Sequence, residues 1–378
     1  MADRFRSKDS INHSQMIDPK IYYNVYLLFV SILTVIYSYK YASYPNERLT
    51  MNVQSKKMPL FFIASLFILF IGLRPISGVF IDMMNYNASY GLHTGRIFAF
   101  TLDTNNFIFD NLFVYLASSN YAVEVFFFII AAIYFGGIAI ACQKLFPKDA
   151  AYAFVIYVGA FSTFNYATNG IKAGAAAAIF LCAIGLYKKK LISIILLILS
   201  LGFHHSMVLP IVAFIICKYY RKPKTYLIIW VISLLIAAAH ITYFQTLFGG
   251  MTDDHGAEYL AMDNSGYRTG FRMDFVIYSS APVILGYYII NKWRYLSKTY
   301  NFIYCLYLLT NSVWMLCMYA SFTNRIAYLS WFMLPLVLIY PFFDKPFMRN
   351  QYKKLNVVAW CHLGFTLMMT YVYYIFIK

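Results

Sequence analysis

Arg74, Asp82 and Tyr86 are the first residues whose types and spacing suit chemistry. Asp82 and Tyr86 are four residues apart, so in a helix they would share one face, downstream of Arg74. A guanidinium group can bind phosphate through two parallel hydrogen bonds, and a carboxylate can take a proton from a sugar hydroxyl. The structural alternative is an arginine that anchors a helix end at a membrane surface beside an interfacial acid.

The segment NGIKAGAAAAIF places Asn169 and Gly170 before a run of small residues, with Lys172 in the first turn of a predicted helix. The first turn of a helix presents unpaired N–H groups and the positive end of the helix dipole, and both attract phosphate. Close packing between helices explains the alanines of the run. Lys172 is therefore the candidate for anion binding in this segment.

Two adjacent histidines, His204 and His205, lie in the segment FHHSMVLP between two apolar stretches. Polar side chains are costly there and histidine titrates near neutral pH, so this pair is a candidate source of a general base. A hydrogen-bonded structural pair is the alternative. No metal site is predicted, because His93, His240 and His255 are not at ligand spacing.

Three further arginines lie just before or at the start of apolar segments. Arg268 and Arg272 are four residues apart in SGYRTGFRMDF and would share a helical face, with Asp274 close enough to pair with one of them. Arg325 lies at the start of NRIAYLSWFMLP. A lone arginine at a helix end is usually a surface anchor. Arg325 is a candidate for substrate binding only because it is predicted to face the same side of the membrane as the other motifs.

The composition predicts an all-α integral membrane protein. Of 378 residues, 61% are hydrophobic and 12% are charged, whereas soluble domains carry about a quarter charged residues. We predict a bundle of about twelve transmembrane helices that forms a single domain over residues 1–378. The predicted spans are 22–39, 58–73, 121–141, 151–166, 170–187, 191–203, 206–217, 225–245, 274–291, 300–318, 325–342 and 355–377. The six cysteines form no CxxC pair and are assigned to packing.

Lysine and arginine are unequally distributed between two sets of loops, which predicts the orientation in the membrane. One set carries 20 of these residues and the other carries six. The basic set is 40–57, 142–150, 188–190, 218–224, 292–299 and 343–354. We assign it to the cytoplasm, so both termini and the long loops 74–120 and 246–273 face outward, although four cations in the N-terminal tail oppose this assignment. Residues 107–117 are predicted to form a short interfacial helix. The net charge of +16 thus indicates membrane orientation and no nucleic-acid partner.

In their order, these motifs resemble the EpsG family of membrane proteins, which belongs with the Wzy-type polymerases of bacterial O-antigen, capsule and exopolysaccharide. The resemblance extends from residue 22 to about residue 340. The matching residues are Arg74, Gly78, Asp82, Tyr86, Asn169, Lys172, His204, Ser206 and Arg325. Lysine at position 172 replaces the arginine usual in the family, and an ammonium group lacks the two-pronged phosphate contact.

The resemblance implies a fold related to the GT-C glycosyltransferases and catalysis at the periplasmic face of the bacterial inner membrane. Such an enzyme transfers a glycan from undecaprenyl diphosphate to a sugar hydroxyl of the next lipid-linked repeat, with no metal or other cofactor. Its partners would be these lipid-linked glycans, membrane lipids and, as a candidate, a chain-length regulator. As hypotheses, His204 is the preferred base and Asp82 the second choice. The residues assigned to diphosphate or substrate binding are Arg74, Lys172, Arg268, Arg272, Arg325, Tyr86 and Asn169.

Three other activities remain open from the sequence. An O-antigen ligase uses the same donor, although such enzymes tend to carry a larger outward loop than residues 246–273. A flippase for lipid-linked sugars would show repeated halves and charges at the membrane midplane. A membrane acyltransferase would need its charged site to meet an acyl donor from the cytoplasm, where this chain has only loop cations.

Overall fold

The computed structural model describes residues 17–51, 57–249 and 270–376, and all regular structure within these ranges is helical. The all-α prediction is therefore confirmed. The α-helices are Tyr22–Ala42 (α1), Met58–Gly72 (α2), Ile81–His93 (α3), Phe107–Ser118 (α4), Val123–Leu145 (α5), Ala150–Val158 (α6), Thr163–Thr168 (α7), Ile171–Gly185 (α8), Lys190–Phe203 (α9), Val208–Tyr219 (α10), Pro223–Ala238 (α11), Tyr243–Gly249 (α12), Met273–Tyr287 (α13), Lys298–Leu316 (α14), Thr323–Trp331 (α15), Leu334–Asp344 (α16) and Gln351–Phe376 (α17).

Five helical segments within the described ranges are long and apolar enough to cross a membrane. They are Pro19–Ala42, Val123–Leu145, Met273–Lys292, Thr323–Asp344 and Gln351–Val372. Six more apolar helices are shorter, and the 15 residues of α2 extend only about 22 Å against about 30 Å of hydrocarbon. The count of twelve spans and the GT-C-like fold consequently remain predictions.

Two of the predicted spans are broken. The segment predicted as 151–166 contains α6 and α7, separated by a turn at residues 159–162. The segment predicted as 325–342 contains α15 and α16, which are interrupted only at residues 332–333 and together form the long apolar segment Thr323–Asp344. The span predicted to reach residue 245 ends at Ala238. These breaks place the short helices α7 and α15 near each other, since the Tyr166 hydroxyl donates to the Asn324 carbonyl at 3.4 Å.

The small residues of α8 allow close packing at the centre of the bundle, where α8 lies against α5 and α9. A Cβ atom added to Gly174 would lie 2.3 Å from the Tyr166 carbonyl oxygen, and one added to Gly137 would lie 2.9 Å from the Ala178 Cβ. The alanines 175–178 are buried. The packing role predicted for the alanine run is confirmed, and it brings the first turn of α8 close to α7.

Contacts connect five of the six basic loops at one end of the bundle, and they include Tyr187, which directly precedes the sixth loop, 188–190. They are Lys148 Nζ to the Leu49 carbonyl (2.9 Å), Asn46 Nδ2 to the Met348 carbonyl (2.7 Å), Lys345 Nζ to the Leu296 carbonyl, Tyr187 Oη to Thr299 Oγ1 (2.9 Å) and the Arg221 guanidinium to the Tyr187 ring (5.8 Å). The loops that the charge pattern groups together are therefore also together in space.

A buried polar network around Asn311 holds α15, the helix that carries Arg325. Asn311 Oδ1 accepts from Trp230 Nε1 at 2.8 Å, and Asn311 Nδ2 donates to the hydroxyls of Ser279 (3.2 Å) and Ser330 (2.9 Å). Trp331 Nε1 also donates to the Ser279 hydroxyl at 2.8 Å. The network links α11, α13 and α14 to α15. If these hydrogen bonds were lost, each of the polar side-chain groups would be buried without a partner, at a cost in free energy.

Replacing Asn311 with alanine is expected to lower the free energy of unfolding by about 1–3 kcal/mol, because it strands the buried Trp230 N–H and removes a donor from two serines. Thermal unfolding in detergent measures this. The matched control is Thr310→Val, since the Thr310 hydroxyl donates to the Leu306 and Tyr307 carbonyls of its own helix. An equal loss of stability in both variants would contradict a special role for the Asn311 network.

Candidate active site

Asp82 and Tyr86 lie one turn apart on α3, as their spacing predicts. Asp82 is partly buried in the first turn, and this burial raises the pKa of its carboxyl group, while the positive charge of Arg325 opposes the rise. Arg325, although distant in sequence, is therefore within range for its charge to influence the Asp82 carboxyl group. A carboxylate with a raised pKa beside a guanidinium group is an arrangement suited to proton transfer next to an anionic substrate.

Arg325 is the third residue of α15 and its side chain is exposed. The helix is entered through Phe322, whose backbone is left-handed with φ of 54°, and the Arg325 guanidinium lies 4.9 Å from the Phe322 ring centroid. The Trp314 indole donates to the Thr323 hydroxyl at 3.0 Å and so fixes the first residue of the helix. Arg325 is thus an accessible cation on a well-anchored helix end.

Lys172 lies in the first turn of α8, as predicted. Its Nζ is 3.5 Å from Asp110 Oδ1 and 5.0 Å from the centroid of the Phe109 ring. Both side chains of the ion pair are partly exposed, so solvent weakens their attraction. Phe109 also packs against Tyr86, at 5.7 Å between ring centroids, so α4 connects Lys172 with the Asp82 face of α3.

Asn169 follows α7 and precedes the first turn of α8. Its Nδ2 donates to Asn165 Oδ1 at 3.2 Å, whereas its own Oδ1 is buried without a hydrogen-bond partner. A buried acceptor without a partner costs free energy unless something else supplies a donor. A sugar hydroxyl is such a donor, which keeps Asn169 in the substrate-binding hypothesis.

His204 ends α9 and caps the short helical turn His205–Met207 that leads into α10. Its Nδ1 accepts from the Ser206 backbone N–H at 3.2 Å and lies 2.7 Å from the Ser206 hydroxyl. The next backbone N–H, of His205, donates to Asn106 Oδ1 at 2.9 Å. Because Asn106 directly precedes α4, the histidine turn is tied to the helix that carries Asp110.

Arg74 is buried, with only 2% of its surface exposed. Its guanidinium donates to the carbonyls of Ile71 (2.7 Å) and Thr168 (3.3 Å) and lies 5.4 Å and 5.3 Å from the rings of Phe80 and Phe127. Burial lowers the pKa of Arg74 to about 10, so it remains charged near neutral pH. In this position Arg74 joins the ends of α2 and α7 and does not lie at an open surface.

Arg272 forms two hydrogen bonds with Asp274, of 3.0 Å and 2.7 Å, which confirms the predicted pairing. Its guanidinium also lies 3.6 Å from the centroid of the Phe275 ring. Residues 270–272 are not helical, so the prediction that Arg268 and Arg272 share a helical face fails at its C-terminal end. Arg268 itself, His255 and the acidic stretch 253–263 lie outside the described residues.

These contacts bring most of the predicted residues into one region, whereas the contacts described for Arg272 are with Asp274 and Phe275. Burial raises the pKa of Asp82 and the charge of Arg325 lowers it, and the Phe109 ring contacts both the Tyr86 ring and the Lys172 ammonium group. The Phe203 ring, next to His204, also packs on Phe109, at 6.3 Å. A small cavity of about 10 Å³ lies between Tyr134, Tyr157 and Tyr328, and none of the described site residues lines it.

Two residues of this region escaped the sequence analysis. Neither Asp110 nor Asn106 was singled out, although an asparagine before a helix is a recognisable capping signal. Their partners, Lys172 and His205, are distant in sequence, so no local pattern could reveal the pairs. Within the described ranges, no three histidine, cysteine, aspartate or glutamate side chains are grouped to hold a metal ion. The metal-free site stays a prediction.

Comparison with known families adds an independent observation. A family model described as the EpsG family matches residues 57–378, which is most of the chain. The chain belongs to the EpsG family. This is a family of membrane proteins similar to the Wzy-type polysaccharide polymerases, which confirms the resemblance drawn from the motifs. No curated protein and no solved structure matches the chain.

Proposed function

We propose that this EpsG-family protein joins lipid-linked oligosaccharide repeats into a polysaccharide by metal-independent glycosyl transfer. The observation that carries the proposal is the proximity of Asp82 to Arg325, which combines a carboxylate of raised pKa with an exposed cation. Family membership supports a role like that of a polysaccharide polymerase. The hydroxyl of the acceptor sugar requires a group that takes its proton, and the diphosphate of the donor requires a positive charge.

In the proposed step, the Asp82 carboxylate takes the proton from a hydroxyl of the acceptor sugar. The oxygen then attacks the anomeric carbon of the donor glycan, and the bond from that carbon to the diphosphate oxygen breaks. Undecaprenyl diphosphate leaves with the electron pair, and Asp82 passes its proton to water. Arg325 and Lys172 stabilise the negative charge that develops on the diphosphate.

The remaining residues have supporting roles in this proposal. Asn169 offers its buried acceptor to a sugar hydroxyl, and Tyr86 packs beside the catalytic face of α3. Arg74 positions the ends of α2 and α7. Arg272, already paired with Asp274, keeps its predicted role in diphosphate binding. Arg268, which lies outside the described residues, keeps its predicted role in diphosphate binding.

We propose that the active site faces the periplasm of a bacterium and that the protein lies in its inner membrane. The support is the grouping of the basic loops at one end of the bundle, because cytoplasmic loops carry the excess of lysine and arginine. Membrane lipids surround the helices, and a chain-length regulator is a proposed partner. The O-antigen, capsule or exopolysaccharide that results depends on the repeat unit supplied.

The purified protein in liposomes is expected to lengthen undecaprenyl-diphosphate-linked repeat units without added metal or nucleotide sugar. Separation of the products by size after acid release measures this, with heat-inactivated protein as the control. Movement of lipid-linked sugar across the bilayer with no lengthening would replace the polymerase proposal with a flippase. Transfer to a lipid A core acceptor with no lengthening would replace it with a ligase.

A further inference from the structure

The inner side of α3 carries aromatic residues that pack on the rest of the bundle. The Tyr86 ring lies 5.9 Å from the Phe113 ring of α4 and 6.1 Å from the Phe126 ring of α5. The Tyr90 ring lies 5.3 Å and 6.4 Å from the same two rings, and its hydroxyl donates to the Tyr121 carbonyl at 2.9 Å. This side of α3 is therefore covered by protein.

The opposite side of α3 is apolar and exposed. Positions 81, 84, 88 and 92 follow one another at intervals of three and four residues, so they form a single stripe along the helix. The stripe consists of Ile81, Met84, Ala88 and Leu92, and its first and last residues are 68% and 65% exposed. A helix that is apolar on two opposite sides needs an apolar environment on each of them. Water does not supply one, and exposed apolar patches of this kind mark contact with a protein or a membrane.

Aromatic contacts place α3 at the end of the bundle opposite the basic loops. The Phe80 ring, directly before α3, lies 5.8 Å from the Tyr22 ring at the start of α1, and Tyr22 stacks on Phe70 near the end of α2 at 4.7 Å. Phe126, which contacts Tyr86, is the fourth residue of α5. Since α1, α2 and α5 each meet a basic loop at their other end, α3 runs across the outer ends of these helices. It lies at the level where α1 and α5, both long enough to cross a membrane, reach the membrane surface.

The stripe continues the exposed apolar surface of α2. Leu69 and Leu73 at the end of α2, and Val79 before α3, are exposed as well. In a membrane protein such a surface contacts lipid chains, and the polypeptide passes from it directly into the stripe. A short helix at the membrane surface buries its apolar face among the headgroups and the first part of the acyl chains. Lipid hydrocarbon is therefore the occupant that this surface indicates.

We propose that the stripe of α3 is a lipid-contact surface that seats this helix in the membrane interface opposite the basic loops, with the acyl chains of outer-leaflet phospholipids as its partner. Asp82 directly follows Ile81, about 100° around the helix, so it lies at the margin of the stripe and is held at the depth of the lipid headgroups. The predicted interfacial segment, residues 107–117, lies behind α3, since its Phe109 is buried and contacts Tyr86.

Spin labels on single cysteines test the contact in the full-length protein in phospholipid nanodiscs, which leave both membrane faces accessible. The parent is Cys361→Ala, because the other five cysteines are buried. Labels at Met84→Cys and Ala88→Cys are expected to be relaxed more strongly by oxygen, which enters hydrocarbon, than by a water-soluble nickel chelate. Leu28→Cys, on the exposed side of α1, is the hydrocarbon reference, and Lys189→Cys, in an exposed basic loop, is the aqueous reference.

Two results would overturn the proposal. Stronger relaxation by the nickel chelate at both positions of the stripe would place α3 in water, and protection from both reagents would show that protein covers the stripe. A fluorophore with polarity-dependent emission on the same cysteines gives a second measurement, in which emission at a shorter wavelength than at Lys189→Cys is expected and equal wavelengths would contradict the proposal. Thermal unfolding at the midpoint of the parent verifies that each labelled variant is folded. Neither measurement uses chain extension, so a failure of the proposed function is distinguishable from a failure of this inference.

Discussion

Asp82→Asn is expected to reduce the rate of chain extension by about 10²–10⁴-fold, which is the usual contribution of a general base. Asparagine has the size of aspartate but cannot take a proton from a sugar hydroxyl. Because Asp82 is only partly buried and caps no helix, the variant should fold and express as the wild type does. The rate of product lengthening with purified lipid-linked repeats measures the effect.

Asp110→Asn is the matched control for this variant. Asp110 is also an acid in the segment 74–120, which is predicted to face outward, and it lies 3.5 Å from Nζ of Lys172, a cation of the candidate site. Both partners are partly exposed, so the loss of this ion pair should cost no more than about 1 kcal/mol. Undiminished extension by Asp82→Asn, or an equal defect in Asp110→Asn, would exclude Asp82 as the base.

The parts of the site that depend on local spacing could be predicted from the sequence. The four-residue interval between Asp82 and Tyr86 correctly indicated one helical face, and Asn169 with Gly170 correctly marked the start of the helix that carries Lys172. Arg272 and Asp274 were expected to pair and do so. Each of these arrangements is settled within about one helical turn, where backbone geometry determines which side chains meet.

The contacts between distant segments could not be predicted in the same way. Nothing near Asp82 indicates that Arg325 lies beside it, because that proximity depends on how α3 and α15 are placed by the rest of the bundle. The direction in which the Arg74 side chain points could not be predicted from the sequence either. Its chemistry suggested phosphate binding, whereas its position beside the Thr168 carbonyl directs it into the protein.

The breaks within two predicted spans show a limit of hydropathy. Apolar residues continue through both interruptions, so composition joins helices that the structure separates. Pro335 was an available signal, since proline is favoured in the first turn of a helix, and it stands there in α16. The turn between α6 and α7 also had a marker, since Gly159 directly follows the last residue of α6 and glycine is common at helix ends. The breaks bear on the candidate site, because Asn169 directly follows the short helix α7 and Arg325 lies on the short helix α15.

Arg325→Ala is expected to slow chain extension by about 10²–10³-fold and to move the acidic limb of its pH dependence to higher pH. The first effect follows from the loss of a cation that stabilises the leaving diphosphate. The second follows from Asp82, whose ionised form is active, so that activity falls as pH drops through its pKa. Burial raises that pKa and the charge of Arg325 opposes the rise, so removing the arginine raises the pKa further.

Arg325→Lys separates these two effects. Lysine keeps a positive charge near Asp82, so the acidic limb of kcat/KM should stay close to that of wild type, while the loss of the guanidinium fork still lowers the rate. Arg96→Ala is the control, because Arg96 is an exposed arginine of the segment 74–120, which also contains Asp82, and its loss is expected to change neither quantity. An acidic limb that stays in place in Arg325→Ala would mean that the two residues do not interact in the working enzyme. The carboxylate would then lack the neighbouring cation on which the proposed mechanism depends.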